Sequence, residues 1–174
     1  MRQLLLMRHA KSSWDDPKLS DHARPLNSRG RSAAVAMREV MRDLGLEPDL
    51  ILVSSARRTL QTLAALEPWE ETPLVEAMDG LYLATGAALL AALNGVAETA
   101  RSVLLIGHNP GLHDLALALA GPLDTANGAM RQLAEGYPTG ALAEFTVPGP
   151  WPALIEGGAR LVRFVAPRDL PDHG

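Results

Sequence analysis

His9 follows Arg8 directly at the end of a short apolar run, and His108 lies in Gly107-His108-Asn109-Pro110 at the end of another. An imidazole can serve as nucleophile, proton carrier or metal ligand, and its neighbours decide which. Here the neighbours are cations. Lys11 is two residues beyond His9, and Arg57-Arg58 follows a third apolar run through Ser54-Ser55-Ala56. Positive charge near His9 lowers its pKa and keeps the ring neutral and nucleophilic near pH 7. The same cations would repel a divalent metal. A zinc site needs three or four inward ligands with support behind them, so a metal hydrolase built from His9, His108, His113 and a carboxylate is disfavoured. The pattern suits phosphoryl transfer, which asks for in-line positioning and for cations around the equatorial oxygens. His9 is the candidate nucleophile, and Arg8, Arg58 and His108 are the candidate phosphate ligands. Glu76, with Asp79 close by, is the candidate general acid for the leaving group and then base for water. Arg57 and Arg58 are adjacent on a helix and cannot both face one site.

Those residues need elements to bring them together. Leu4-Leu5-Leu6-Met7, Leu50-Ile51-Leu52-Val53 and Val103-Leu104-Leu105-Ile106 are continuous apolar runs, as expected of strands buried on both faces. Pro73-Leu74-Val75 reads as a weaker third strand between the last two. Helices are expected from an Asn27 cap to about Asp43, from a Ser54 or Ser55 cap to about Leu66, from Ala87 to Val96, and from Asn109-Pro110 to about Ala120. Ala141 to Val147 and Arg160 to Val165 read as two more strands around a Pro/Gly-rich loop, an antiparallel addition at one edge. The alternation predicts one three-layer α/β/α sandwich, with a mostly parallel sheet and an antiparallel edge, over residues 1–166. Residues 167–174 are expected to form a loose tail. In an open α/β sheet, ligands bind beyond the carboxyl ends of the strands. Arg8-His9, Arg58, Glu76 and His108 all follow expected strand ends.

Composition narrows the class. The chain has 174 residues, 47% hydrophobic and 21% charged, an ordinary globular balance. It has no cysteine, which excludes disulfides and thiolate chemistry. Net charge is −4, which argues against nonspecific nucleic-acid binding. Yet residues 1–31 hold seven basic residues against three acidic ones. Arginine far outnumbers lysine, and its fork suits bidentate phosphate contacts. No apolar run is long enough to cross a bilayer, and Leu4 to Met7 is too short for a signal peptide. A soluble, cytoplasmic protein without membrane or nucleic-acid partners is expected.

Three stretches together resemble the histidine phosphatase superfamily, also called phosphoglycerate mutase-like. Leu6-Met7-Arg8-His9-Ala10-Lys11 is similar to its leading motif. Ser54-Ser55-Ala56-Arg57-Arg58-Thr59-Leu60-Gln61-Thr62 is similar to its second, with Ser55 for the usual proline and Thr59 for the usual alanine. Gly107-His108-Asn109-Pro110-Gly111 is similar to its third. Arg8 to Trp14, Asp21-x-x-Arg24-Pro25-Leu26 and Leu81-Tyr82 further resemble the small SixA-like branch, and a chain this short is expected to lack the capping insertion of mutases. The resemblance implies a phosphoglycerate mutase-like fold, a phosphorylated His9 intermediate, phosphate binding by Arg8 and Arg58, and completion of the pocket by His108. It implies no cofactor and no metal. SixA acts on phosphohistidine in a histidine phosphotransfer domain, so the expected partner is a phosphorylated protein. The alternatives are a small phosphorylated metabolite taken by a broad-specificity phosphatase, and a phosphate- or phosphoprotein-binding module with little turnover. SixA-like members lack a strong acid, and Glu76 fits that role only loosely. A phosphohistidine leaves readily from nitrogen and needs less protonation than an alkoxide. Lys11 is expected at the pocket rim as an electrostatic contributor. Trp14 either flanks the pocket or packs as a loop anchor. His22, His113 and His173 receive no role.

Overall fold

Continuous apolar runs become the middle of one six-stranded sheet. The computed structural model describes residues 1–122, 124 and 126–171. Strands β1 (Arg2–Arg8), β2 (Leu50–Ser54), β3 (Leu74–Met78), β4 (Ser102–Gly107), β5 (Leu142–Val147) and β6 (Arg160–Val165) follow the order β3-β2-β4-β1-β5-β6. The first four are mutually parallel, and β5 and β6 add antiparallel at the β1 side. Alternation within one run builds both cores. Leu4 and Leu6 face a layer of α3 (Gly86–Asn94), α4 (Gly111–Ala120) and α5 (Gly128–Glu135). Leu5 and Met7 face the opposite layer of α1 (Ser28–Asp43) and α2 (Arg57–Leu66). The fold is thus the expected three-layer α/β/α sandwich with a mostly parallel sheet and an antiparallel edge.

Register fixes where the chain turns away from the sheet. Arg8 pairs with Gly107, Val53 with Ile106, and Ser54 with Met78. His9, Ser55, Asp79 and His108 therefore leave four neighbouring strands at one sheet edge. Two glycines let helices close on this edge. A Cβ on Gly30 would lie 2.1 Å from the Lys11 carbonyl oxygen, and one on Gly111 would lie 1.9 Å from that of Ala84. Only a residue without a side chain lets α1 abut the loop after His9 and α4 abut the loop after Tyr82.

Four local readings differ from expectation. β3 runs through Met78 rather than stopping at Val75. Neither Ser54 nor Ser55 caps α2: β2 runs on through Ser54 and the N-cap position falls on Ala56, which has no side-chain acceptor. A further helix, α5, is capped by Asn127 and buries Met130 and Leu133. Pro167–Asp169 forms a 3₁₀ turn, with Pro167 buried and Leu170 packed on the α1/α2 core, so the first part of the expected tail is part of the fold. The rest of that tail, including His173, lies outside the described residues.

Candidate active site

His9 begins where β1 ends. Its backbone N–H donates to the Gly107 carbonyl at 3.1 Å, continuing the parallel ladder by one residue. Thr62 on α2 ties the next residue down: its Oγ1 accepts from Ala10 N–H at 3.0 Å while donating to the Arg58 carbonyl at 2.8 Å. The loop after β1 and the helix carrying Arg58 are thereby one unit. His9 Nδ1 lies 2.7 Å from the Ala10 carbonyl oxygen. A carbonyl only accepts, so Nδ1 carries the proton and Nε2 keeps its lone pair.

The rings of His9 and His108 stand 5.3 Å apart, tilted by 53°. His108 Nε2 meets Ser54 Oγ at 2.7 Å, and its Nδ1 is buried without a partner. Arg58 is buried, only 3% exposed, whereas Arg57 on the same turn is exposed. Arg8 donates from Nη1 to the Tyr137 carbonyl at 3.0 Å and has no carboxylate partner among the described residues. Asn109 Nδ2 donates to that same carbonyl at 2.9 Å, so Tyr137 holds Arg8 and the turn after β4 together.

Sequence reading passed over the carboxylate at the centre of this arrangement. Asp21 takes Arg58 Nη2 on Oδ2 at 3.0 Å and Arg58 Nη1 on its backbone carbonyl at 2.7 Å. Its Oδ1 accepts from Arg24 Nε at 3.2 Å, and the Tyr82 hydroxyl donates to Oδ2. Arg24 is itself buried, donates to Ser12 Oγ at 2.7 Å, and stacks its guanidinium 3.5 Å from the centre of the Trp14 ring. Tyr82 also meets His108 edge-on at 5.5 Å. His22, given no role above, lies against Tyr82 at 4.8 Å and its Nε2 contacts Ser55 Oγ at 3.0 Å. The signal was present as Asp21-x-x-Arg24 and Leu81-Tyr82, but no periodicity marks loop residues that meet across 61 positions of chain.

The electrostatics follow from burial among cations. Burial, reinforced by Arg58, Arg8 and Arg24, lowers the pKa of His9 to about 4 despite its bond to Ala10. Burial and the nearby His9 and Arg58 lower His108 to about 3. The Tyr82 hydrogen bond, then Arg58 and Arg24, lower Asp21 to about 2 against the opposing effect of its partial burial. His9 is therefore neutral and Asp21 ionised across the physiological range. A His9 that reacts as the neutral imidazole would put the acid limb of kcat/KM near pH 4 instead of near 6.5. Stability has the same sign. Between about 6.5 and about 4 the unfolded chain binds a proton that native His9 does not, so this contribution is present above 6.5 and lost as pH falls through 4. A rate profile breaking near 6.5 would contradict this environment.

Comparison with known proteins gives the family. The sequence profile of the histidine phosphatase superfamily (branch 1) matches residues 4–81. A solved structure assigned as phosphohistidine phosphatase SixA, from Nakamurella multipartitia, is 31% identical, covers 95% of this chain and 96% of its own, and superposes with a TM-score of 0.83. This chain belongs to the histidine phosphatase superfamily. An uncharacterized protein of Mycobacterium tuberculosis is 35% identical over 163 residues, covering 93% of this chain and all of the relative. The structure of the protein histidine phosphatase SixA complexed with tungstate, 24% identical, shares the fold with a TM-score of 0.77 over 96% of this chain and 98% of its own.

Within this histidine phosphatase the expected acid is misplaced. Glu76 lies within β3, opposite Leu52, two residues short of the strand's carboxyl end. Its side chain lines a groove with Asp49, Met78 and the end of α3, on the face beside Leu52. The cause is the extension of β3 to Met78, which turns a supposed loop residue into a strand residue. Glu76→Gln is expected to leave kcat/KM within about twofold of wild type, as for a surface change away from the reacting atoms. A loss of a hundredfold would return Glu76 to the chemistry. Asp79, at the strand end, is exposed and makes no side-chain hydrogen bond among the described residues. Lys11 is exposed beside the nucleophile loop, and Trp14 is 76% exposed with one face on Arg24. His113 is engaged with the Leu133 carbonyl at 2.6 Å, tying α4 to α5.

Proposed function

We propose that this histidine phosphatase hydrolyses protein phosphohistidine through a covalent phosphohistidine on His9, without a metal. The observation that carries the proposal is the Nδ1–H bond of His9 to Ala10, which leaves a neutral Nε2 lone pair beside Arg8 and Arg58. In the first step a bond forms between His9 Nε2 and phosphorus as the bond from phosphorus to the substrate nitrogen breaks. The departing imidazole keeps the electron pair and takes its proton from solvent. In the second step water attacks phosphorus, the His9 nitrogen–phosphorus bond breaks with its electron pair returning to Nε2, and phosphate leaves as the surplus water proton passes to solvent. Arg8 and Arg58 balance the equatorial oxygens, and Arg8 is desolvated with no carboxylate partner among the described residues. His108 completes the pocket, with its ring held by Ser54. The two arginines already supply the positive charge that a metal would bring, and a divalent ion beside them would be repelled.

The leaving group follows from proton availability. Asp21 is the carboxylate bonded to the site's cations, and it is ionised at neutral pH, so it has no proton to give. A nitrogen leaving group tolerates this and an alkoxide does not. The relative from Nakamurella multipartitia, 31% identical, is assigned as a phosphohistidine phosphatase, which supports this substrate class. Trp14 offers an open apolar face at the mouth for a macromolecular substrate. The test compares kcat/KM for a phosphohistidine-bearing phosphotransfer protein and for phosphoserine, each with and without EDTA. We expect the phosphohistidine protein to be favoured by about 10³-fold or more, the scale of proton donation to a poor leaving group. EDTA should have no effect. Equal rates on phosphoserine, or loss of activity in EDTA, would overturn the proposal.

A further inference from the structure

The two edges of the sheet are defended differently. β6 carries Arg160 and Arg163, and α5 packs against it. β3, the opposite edge, has four exposed residues of five, with Leu74 at 75% and Val75 at 49% exposure. An open apolar edge is a template for another strand, and proteins commonly blunt it with lysine or a covering element. No lysine, arginine or histidine occurs between Thr59 and Ala100, while Glu67, Glu70, Glu71, Glu76, Asp79 and Glu98 do. This stretch therefore carries −6, and the rest of a chain of net charge −4 carries +2; Glu98 is paired with Arg2, which leaves Glu67, Glu70, Glu71, Glu76 and Asp79 without an ion-pair partner among the described residues.

The backbone at this edge is ready to pair. Leu74 N–H donates to Asp49 at 3.0 Å and the Met78 carbonyl accepts from Ser55 at 3.3 Å, so Leu74, Glu76 and Met78 turn their peptide groups toward β2. By alternation, the N–H and C=O of Val75 and Ala77 point outward. The side chains of Leu74, Glu76 and Met78 line a groove of about 490 Å³ together with Asp49, Ala92 and Val96. A strand laid along β3 would run every second side chain beside that groove.

We infer that the free edge of β3 docks an extended segment of a partner protein in which apolar residues alternate with lysine or arginine. Main-chain bonds to Val75 and Ala77 supply the pairing, and the surrounding carboxylates select cations. A second copy of this chain fits poorly, because antiparallel pairing of two β3 strands would bring the two acidic tracts together. The segment would be held near the pocket, since β3 runs through Asp79–Leu81 directly into Tyr82. This inference does not depend on which phosphorylated substrate is hydrolysed.

The test titrates full-length protein against a fluorescein-labelled eight-residue peptide alternating valine and lysine, read by anisotropy. Ala77→Pro removes one outward N–H without touching the ladder to β2, a position where an edge strand tolerates proline. Leu74→Lys places a cation in the groove and leaves the backbone unchanged. Saturable binding to wild type, weakened about tenfold or more by each variant and by added salt, supports the docking site. A peptide alternating valine and glutamate should not bind, and hydrolysis of a small phosphate ester should be unchanged in both variants. If Ala77→Pro does not fold, Leu74→Lys decides alone. No saturable binding to wild type, or equal binding by a folded variant, overturns the inference. So does concentration-dependent self-association that Leu74→Lys abolishes, because a second copy would then own the edge.

Discussion

His9→Ala is expected to lower kcat by about 10⁴-fold or more, the scale of removing a nucleophile, while leaving the protein folded. The sharper readout is covalent. Wild type mixed with a labelled phosphoryl donor and quenched should carry label that is labile to acid and stable to base, as a phosphoramidate is. His9→Ala should carry none. The substitution should spare the fold, because the backbone bonds from His9 N–H to Gly107 and from Ala10 N–H to Thr62 do not use the imidazole. It also removes a group whose charging is resisted down to about pH 4, so the variant should lose part of the acid-dependent destabilisation between 6.5 and 4. Turnover with no label on wild type, or label persisting on the variant, would mean that His9 is not the nucleophile.

The two buried histidines are not equivalent, which makes that experiment discriminating. His9 spends Nδ1 on a carbonyl acceptor and leaves Nε2 as a free base. His108 spends Nε2 on Ser54, and its Nδ1 is buried. Burial makes each ring neutral, but His9 is the ring whose tautomer is set by a carbonyl acceptor, which leaves its Nε2 as the base. Ser54, the last residue of β2, holds the His108 ring at Nε2.

Residues attached to strand ends were legible in the sequence, and residues brought in by loops were not. Arg8, His9 and His108 follow runs buried on both faces, and continuous hydrophobicity locates such runs well. Arg58 is one turn further on and is fixed by the same logic. β3 was read three residues short at its carboxyl end because an edge strand is solvated: Glu76 breaks the apolar run and looks like loop. That single shortening produced the misassigned acid. α5 is short and carries only Met130 and Leu133 inward, too little pattern for an eight-residue helix to stand out. Asp21, Arg24, Tyr82 and Tyr137 reach the site from irregular segments whose placement depends on the assembled sandwich.

Asp21 is where the structure adds most to the chemistry, and Asp21→Ala is expected to lower kcat/KM by about 10²-fold. Arg58 has almost no solvent access and depends on Asp21 for contacts to both terminal nitrogens, one through the side chain and one through the backbone. Losing the carboxylate leaves the backbone contact in place, so Arg58 should shift by a fraction of its reach, and misplacement on the order of 1 Å costs about 10²-fold. Arg24 loses its ion pair at the same time and keeps Ser12 and the Trp14 face. The loss should appear mainly in kcat, because geometry around the equatorial oxygens matters most in the transition state. Asp21→Asn retains an acceptor for Arg58 and should lie between the alanine variant and wild type. Tyr82→Phe keeps the ring against His108 and removes the bond that does most to keep Asp21 ionised, so it should mimic the asparagine variant in direction. The opposite sign is informative. If Asp21→Ala raised kcat/KM, the carboxylate would be a resident anion that phosphate must displace from Arg58, and the clamp described here would instead be a latch.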